Sequence, residues 1–221
     1  SVDPLTDKYP DISPYAYCAW NPMKYVDPNG MWFDETNEEY ARIIERAVKE
    51  KIIELQNSEI EDRQGRIDEL RLTLSDIQSM RENEEYQYLY ITHSKTENAT
   101  LGTVPERHYK RIIMHVNRDD DGNIIHETRH GGQHARGELH FNRRGLPGKD
   151  YCTLQELSAY HAQYSYMGKI TVWTREDSPY LSPYVYQYKK KDITSFDQIT
   201  SQWLRTIVDI NNQPIYLYLR E

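Results

Sequence analysis

The sequence predicts an α+β fold, on three observations. Residues 34–85 are charged, with apolar positions recurring at helical spacing. From Tyr86 the pattern switches to alternation, in 86–91 and again in 111–116. A helical pattern then follows the second alternating run, through Ile124, Ile125 and His126-Glu127-Thr128-Arg129-His130. Helices first and short strands afterwards, without strict strand–helix alternation, suit segregated helices beside a small mixed or antiparallel sheet. The chain divides into an extended segment over 1–30, a helical hairpin or arm over 31–85, and a mixed domain over 86–221.

In residues 1–30, Pro and turn formers dominate and no helical or alternating pattern holds for long. Tyr9, Tyr15, Tyr17, Trp20 and Tyr25 mark it as an extended segment made to pack against something. In 34–85, Thr36-x-x-Glu39 and Ser58-x-x-Glu61 read as capping boxes, so two helices with a break near Asn57 are expected. Ile43, Ile44, Ala47, Val48 and Leu55 stripe the first; Ile60, Ile67, Leu70, Leu74 and Ile77 stripe the second. These spacings fit an antiparallel hairpin, read as a packing arm rather than a partner-binding coiled coil.

Strands are expected at 86–91 and 111–116, with a polar loop over 92–107 between them. Asp119-Asp120-Asp121-Gly122 is a turn, with Asp121 or Asn123 capping the next helix. It is not a calcium loop, since no bidentate Glu follows at the required offset. A Gly-rich connector over 137–150 leads to a helix marked by Leu154, Leu157, Ala159, Ala162 and Tyr164. Then come a strand at 170–173, a Pro- and Tyr-rich loop over 178–188, a short helix near 195–207 and a closing strand at 215–219.

A net charge of -8 argues against nucleic acid as a partner, because phosphate contacts need clustered cations. Arg143-Arg144 and Lys189-Lys190-Lys191 read as solvated loop charge. Cys18 and Cys152 do not make a disulfide scaffold. No apolar run reaches the length of a membrane span, and no signal-peptide pattern opens the sequence. Nineteen Tyr against three Phe suggest half-buried aromatics lining a polar cleft or an interface.

His126 and His130 stand four apart, so a helix puts both imidazoles on one face, able to point at a single ion. Glu127 lies beside them. This is the spacing of a zinc-protease helix: zinc lowers a water's pKa to about 7, and an adjacent carboxylate takes the proton as the water attacks a carbonyl. The alternative is a surface helix whose two histidines are merely solvated or packed. A catalytic site needs a third protein ligand. Glu156 is the first candidate, although Thr153-x-x-Glu156 is also a capping box that would use Glu156 at the helix N-terminus. His134 is second: on an unbroken helix it lies about 12 Å from His126, so it can serve only if Gly131-Gly132 break the helix. His140 is third, and Cys152, four residues before Glu156, stays a less favoured ligand. His93, His108 and His115 carry no ligand spacing.

His126-Glu127-x-x-His130 followed by Glu156-Leu157-Ser158-Ala159 resembles the gluzincin metallopeptidases over about residues 110–166. The resemblance implies a zincin-like fold, a Zn2+ cofactor on His126, His130 and Glu156, and Glu127 as general base. Gluzincins often stabilise the oxyanion with a Tyr or His, which makes Tyr160 and His161 the nearby candidates. The metzincin pattern is not met, since Gln133 and Arg136 stand where it places Gly and a third His.

Residues 1–30 resemble the end of the Rhs (YD-repeat) associated core, with its phrases at Val2 to Leu5, Ser13 to Tyr17, Asn21-Pro22 and Asp27 to Gly30. That resemblance implies that the remainder is the C-terminal toxin of a secreted polymorphic bacterial effector, carried with an Rhs shell. It further implies delivery into a target cell, release by cleavage near Gly30, and a cognate immunity protein. The function expected is a zinc-dependent peptidase toxin acting on a target-cell protein. The alternatives are a metal-dependent nuclease toxin, disfavoured by charge, and a non-enzymatic binding module.

Overall fold

The structure, a computed structural model, describes residues 35–94, 102–106, 110–141, 153–177 and 186–208. Residues 1–30, both cysteines, His108, the Arg143-Arg144 loop and the expected closing strand at 215–219 lie outside the described residues. The described chain is α+β. In order it runs α1 (Glu35–Gln56), α2 (Arg63–Glu82), β1 (Gln87–His93), β2 (Gly102–Glu106), β3 (Arg111–Asn117), α3 (Asp121–Ala135) and α4 (Thr153–Met167). Then follow β4 (Ile170–Asp177), β5 (Tyr186–Ile193), a 3₁₀ turn (Phe196–Gln198) and α5 (Ser201–Leu204).

The hairpin forms with its break where Asn57 placed it. Arg81 near the end of α2 donates to Glu45 at 2.8 Å and Glu38 at 3.3 Å near the start of α1, so the two helices run antiparallel. Two details differ from expectation. The Ser58 hydroxyl donates to Leu55 O, 2.8 Å away, closing α1 instead of opening α2, which begins five residues later. Ile43 and Ile60 face solvent; the buried edge of α1 runs through Ala41, Ile44, Val48 and Leu55.

The three-stranded sheet has the order β1-β3-β2, with β1 parallel and β2 antiparallel to β3. β1 extends to His93 and β2 occupies Gly102–Glu106, so the expected polar loop over 92–107 carries strand at both ends. The signal was missed because Gly102 and Pro105 interrupt any alternation; an edge strand tolerates such residues since one side needs no ladder. β3 is therefore central, and β2 is the edge beside α3. β4 and β5 form a separate antiparallel ribbon that takes in Tyr186 to Lys191, which the sequence placed in loops. The 3₁₀ turn and α5 stand where one short helix was expected.

One hydrophobic cluster joins Val48 of α1, Leu70 and Ile77 of α2, Tyr88, Ile112 and Met114 of the sheet, Ile125 of α3 and Ala162 of α4. A second links Tyr160 and Tyr164 of α4 to Ile170, Ile193, Trp203 and Leu204. Helix α4 lies between the two. This double packing fixes the helix that carries Glu156.

α3 is capped by Asp120, not by Asp121 or Asn123: Asp120 Oδ1 accepts from Asn123 N at 3.1 Å. Asn123 Oδ1 in turn accepts from Asn117 N at 2.8 Å, tying the helix start to the end of β3. Gly131 and Gly132 do not break the helix, which is continuous to Ala135. Instead they let α2 approach. A Cβ on Gly132 would lie 2.3 Å from Asp76 Oδ1, and one on Gly131 would lie 2.5 Å from Met80 Sδ.

Candidate metal centre

His126 and His130 project from one face of α3 toward α4. Their Nε2 atoms are 3.2 Å apart. The Glu156 carboxylate completes a triangle, with Oε2 at 3.4 Å from His126 Nε2 and Oε1 at 3.3 Å from His130 Nε2. All three residues are buried. Two imidazole nitrogens and a carboxylate at this spacing need a cation among them, whether a proton or a metal ion. Tetrahedral coordination with bonds of about 2.0–2.2 Å has edges of about 3.3–3.6 Å, and each imidazole nitrogen lies near that distance from the other and from one of the two carboxylate oxygens. Glu156 Oε2 is moreover buried without a hydrogen-bond partner among the described residues, as a waiting ligand atom would be. His126, His130 and Glu156 can hold a metal ion.

The electrostatics agree with one cation shared by the group. Burial alone would lower the His130 pKa; the Glu156 carboxylate, with Glu127 and the Gln133 amide, outweighs it and lifts the group to about 9. Burial would raise Glu156, yet the two imidazoles hold it well below the usual carboxylate range.

Several neighbours orient these groups. Gln133 Oε1 lies 2.9 Å from His130 Nδ1, a contact that makes Nδ1 the protonated nitrogen and leaves Nε2 free to ligate. The Gln133 amide donates to Gln155 O at 3.1 Å, so one side chain ties the His130 tautomer to the turn bearing Glu156. His126 packs edge-on against Tyr160, with centroids 4.6 Å apart, and Tyr160 packs on Trp203 at 4.9 Å. His126 Nδ1 is buried with no hydrogen-bond partner among the described residues.

Glu127 is buried beside the triangle, and its Oε2 accepts from Thr103 Oγ1 at 2.8 Å. The carboxylate next to the ligands is thus held by the edge strand β2. Arg129, within the His-Glu-x-x-His run, points to the opposite side and has no exposed surface. It donates to Asp76 Oδ2 at 2.6 Å and Glu69 Oε2 at 2.9 Å on α2, and to Ser158 Oγ at 2.7 Å on α4. Arg136 makes a second ion pair to Asp76. These contacts lock the three helices that position the site.

The structure therefore brings together His126, Glu127, His130, Glu156 and Tyr160. It leaves out the others. His161 packs its ring on Phe196, 5.3 Å between centroids, one residue round α4 from the face that carries Glu156 and Tyr160. His134 lies with Tyr88, whose hydroxyl is hydrogen-bonded to its Nδ1 at 3.0 Å, and stacks on Phe141; it is not a ligand on this unbroken helix. His140 is exposed. Sequence reasoning missed Gln133, Arg129 and Thr103. Gln133 was accessible, being three residues from His130 on the same face. Arg129 offered only its position in the run, and Thr103 lay in a stretch read as loop.

The chain matches no protein-family model, no curated protein and no solved structure.

Proposed function

We propose that this domain is a zinc-dependent peptidase, zincin-like in design, with His126, His130 and Glu156 as the metal ligands. The observation that carries the reading is the buried triangle of two imidazoles and one carboxylate, with a second carboxylate, Glu127, adjacent to it. Two nitrogens and one oxygen are a zinc donor set that leaves a fourth position for water, which suits a catalytic site rather than a structural one. Zinc bound there would supply a Lewis acid that acidifies water and polarises a carbonyl. Glu127 then accepts the water proton and returns it to the leaving amine. Thr103 holds the Glu127 carboxylate in place, and Gln133 keeps the His130 tautomer.

Support for a peptide substrate comes from β2. Among the described residues it is an edge of its sheet, and its Thr103 touches the general base, so an extended peptide added along that edge would bring its backbone to Glu127. Tyr160, against His126, is the candidate for oxyanion stabilisation; His161 is not, given its place on Phe196. On the resemblance of residues 1–30 to an Rhs core end, the peptidase is the tip of a secreted effector, acting on a target-cell protein and restrained by an immunity protein. Glu127→Gln tests the reading: peptide hydrolysis in a lysate proteomic assay should fall at least about 100-fold while zinc content and fold stay intact. Full activity in that variant would sink it.

A further inference from the structure

We propose that the cleft enclosed by the start of α2, the end of α4 and the segment after β5 is a second binding site. Its ligand is small and dipolar, carrying a carboxylate beside a positive charge, as a free amino acid or a peptide end does. The proposal stands independently of the metal centre. Tyr164, which lines the cleft, is eight residues beyond Glu156 on α4, about 12 Å along the helix.

The cleft has a volume of 510 Å³, ample for such a ligand. Arg66 lines it and is only 7% exposed. Arg66 Nε donates to Ser165 O at 3.0 Å, which fixes the guanidinium. Its Nη1 and Nη2 have no hydrogen-bond or ion-pair partner among the described residues. The guanidinium lies over the Tyr164 ring, 5.6 Å from its centroid, and its fork remains open to a carboxylate or similar oxyanion entering the cleft. The approach is kept open by Gly168, at φ +73°, where a Cβ would come within 3.1 Å of Arg66 Nη2. Asp62, at the start of α2, makes no cap bond to its own helix and instead accepts from Tyr164 OH at 2.5 Å.

A plain anion does not fit the rest of the lining. Glu61, Asp62 and Asp197 also face the cleft, and none makes an ion pair among the described residues. Against one guanidinium they leave a net negative rim, which would repel a simple anion and attract a cation. A ligand bearing both charges satisfies the fork and the rim together, and Phe196 with Tyr164 offers an aromatic wall for its stem.

Titration of the full chain with L-lysine, the tripeptide Gly-Gly-Lys, acetate, n-butylamine and inorganic phosphate, read by calorimetry or NMR shifts, tests this. L-lysine or Gly-Gly-Lys should bind at least about tenfold more tightly than acetate, butylamine or phosphate, and the better of the two tells a free amino acid from a peptide end. Arg66→Lys keeps the charge but loses the fork, and should weaken that binding about tenfold. Glu61→Gln with Asp197→Asn alters two exposed side chains and should weaken it about threefold or more. If Arg66→Lys fails to fold, the rim variant decides. Acetate or phosphate binding as tightly as the dipolar probes would overturn the proposal. So would the absence of saturable binding by either dipolar probe, or an unchanged affinity in the rim variant.

Discussion

Arg129→Met removes the guanidinium on which the three helices of the site converge. Arg129 and Asp76 are both fully buried, and the substitution leaves Asp76 with Arg136 alone while Glu69 and Ser158 lose their donor. Breaking one side of a buried ion pair costs about 3–5 kcal/mol, because the remaining charge stays desolvated. For a domain of this size each kcal/mol moves Tm by about 2–4 °C, so a fall of roughly 6–20 °C is expected. Because Ser158 sits two residues from Glu156, zinc affinity should fall with stability. Chemical denaturation of Arg129→Met, Asp76→Asn and the double variant measures the coupling directly. The double variant should be much less destabilised than the sum of the singles. A loss under about 1 kcal/mol in Arg129→Met, or simple additivity, would refute the view that this pair holds the site together.

Other perturbations separate the parts. Glu156→Gln should weaken zinc binding strongly and also lower apo stability, since it takes from buried His130 its charge partner; an unchanged zinc affinity would show that Glu156 is not a ligand. Gln133→Leu should cost about 10–100-fold in zinc affinity through the lost His130 contact, and a wild-type titration would show that contact to be idle. Burial, helped by His140 and opposed by Glu85, lowers His134 to about 4. A depressed histidine is neutral in the fold, so its contribution is complete above the unfolded pKa of about 6.5 and is lost as pH falls toward 4. The full shift corresponds to about 3 kcal/mol, and partial exposure reduces the expected loss to about 1–2 kcal/mol. His134→Phe should flatten that acid limb in melts across pH 7 to 4.5; an equal slope in both proteins would assign the loss elsewhere.

Local periodicity made much of this molecule readable. The α1–α2 hairpin, β3 and the α3 histidine pair each announce themselves within one or two turns or strands. Glu156 was identified because a two-histidine helix lacks a ligand, which is a chemical rather than a positional argument. What remained hidden depends on tertiary contact. β2 is short, holds Gly102 and Pro105, and gains its strand character from pairing with β3. Gly131-Gly132 looked like a helix breaker in isolation, yet those glycines exist for the close approach of Met80 and Asp76. No local pattern marks Arg129, and only the packing of α2 and α4 around it gives it partners.

The most direct test of the account is X-ray absorption spectroscopy on the zinc-repleted protein, with the metal quantified per chain. One zinc per chain is predicted, with two imidazole nitrogens at about 2.0–2.1 Å, carboxylate oxygen at about 2.0–2.2 Å and no sulfur shell. No bound zinc after repletion, or a sulfur shell near 2.3 Å, would contradict a centre built from His126, His130 and Glu156.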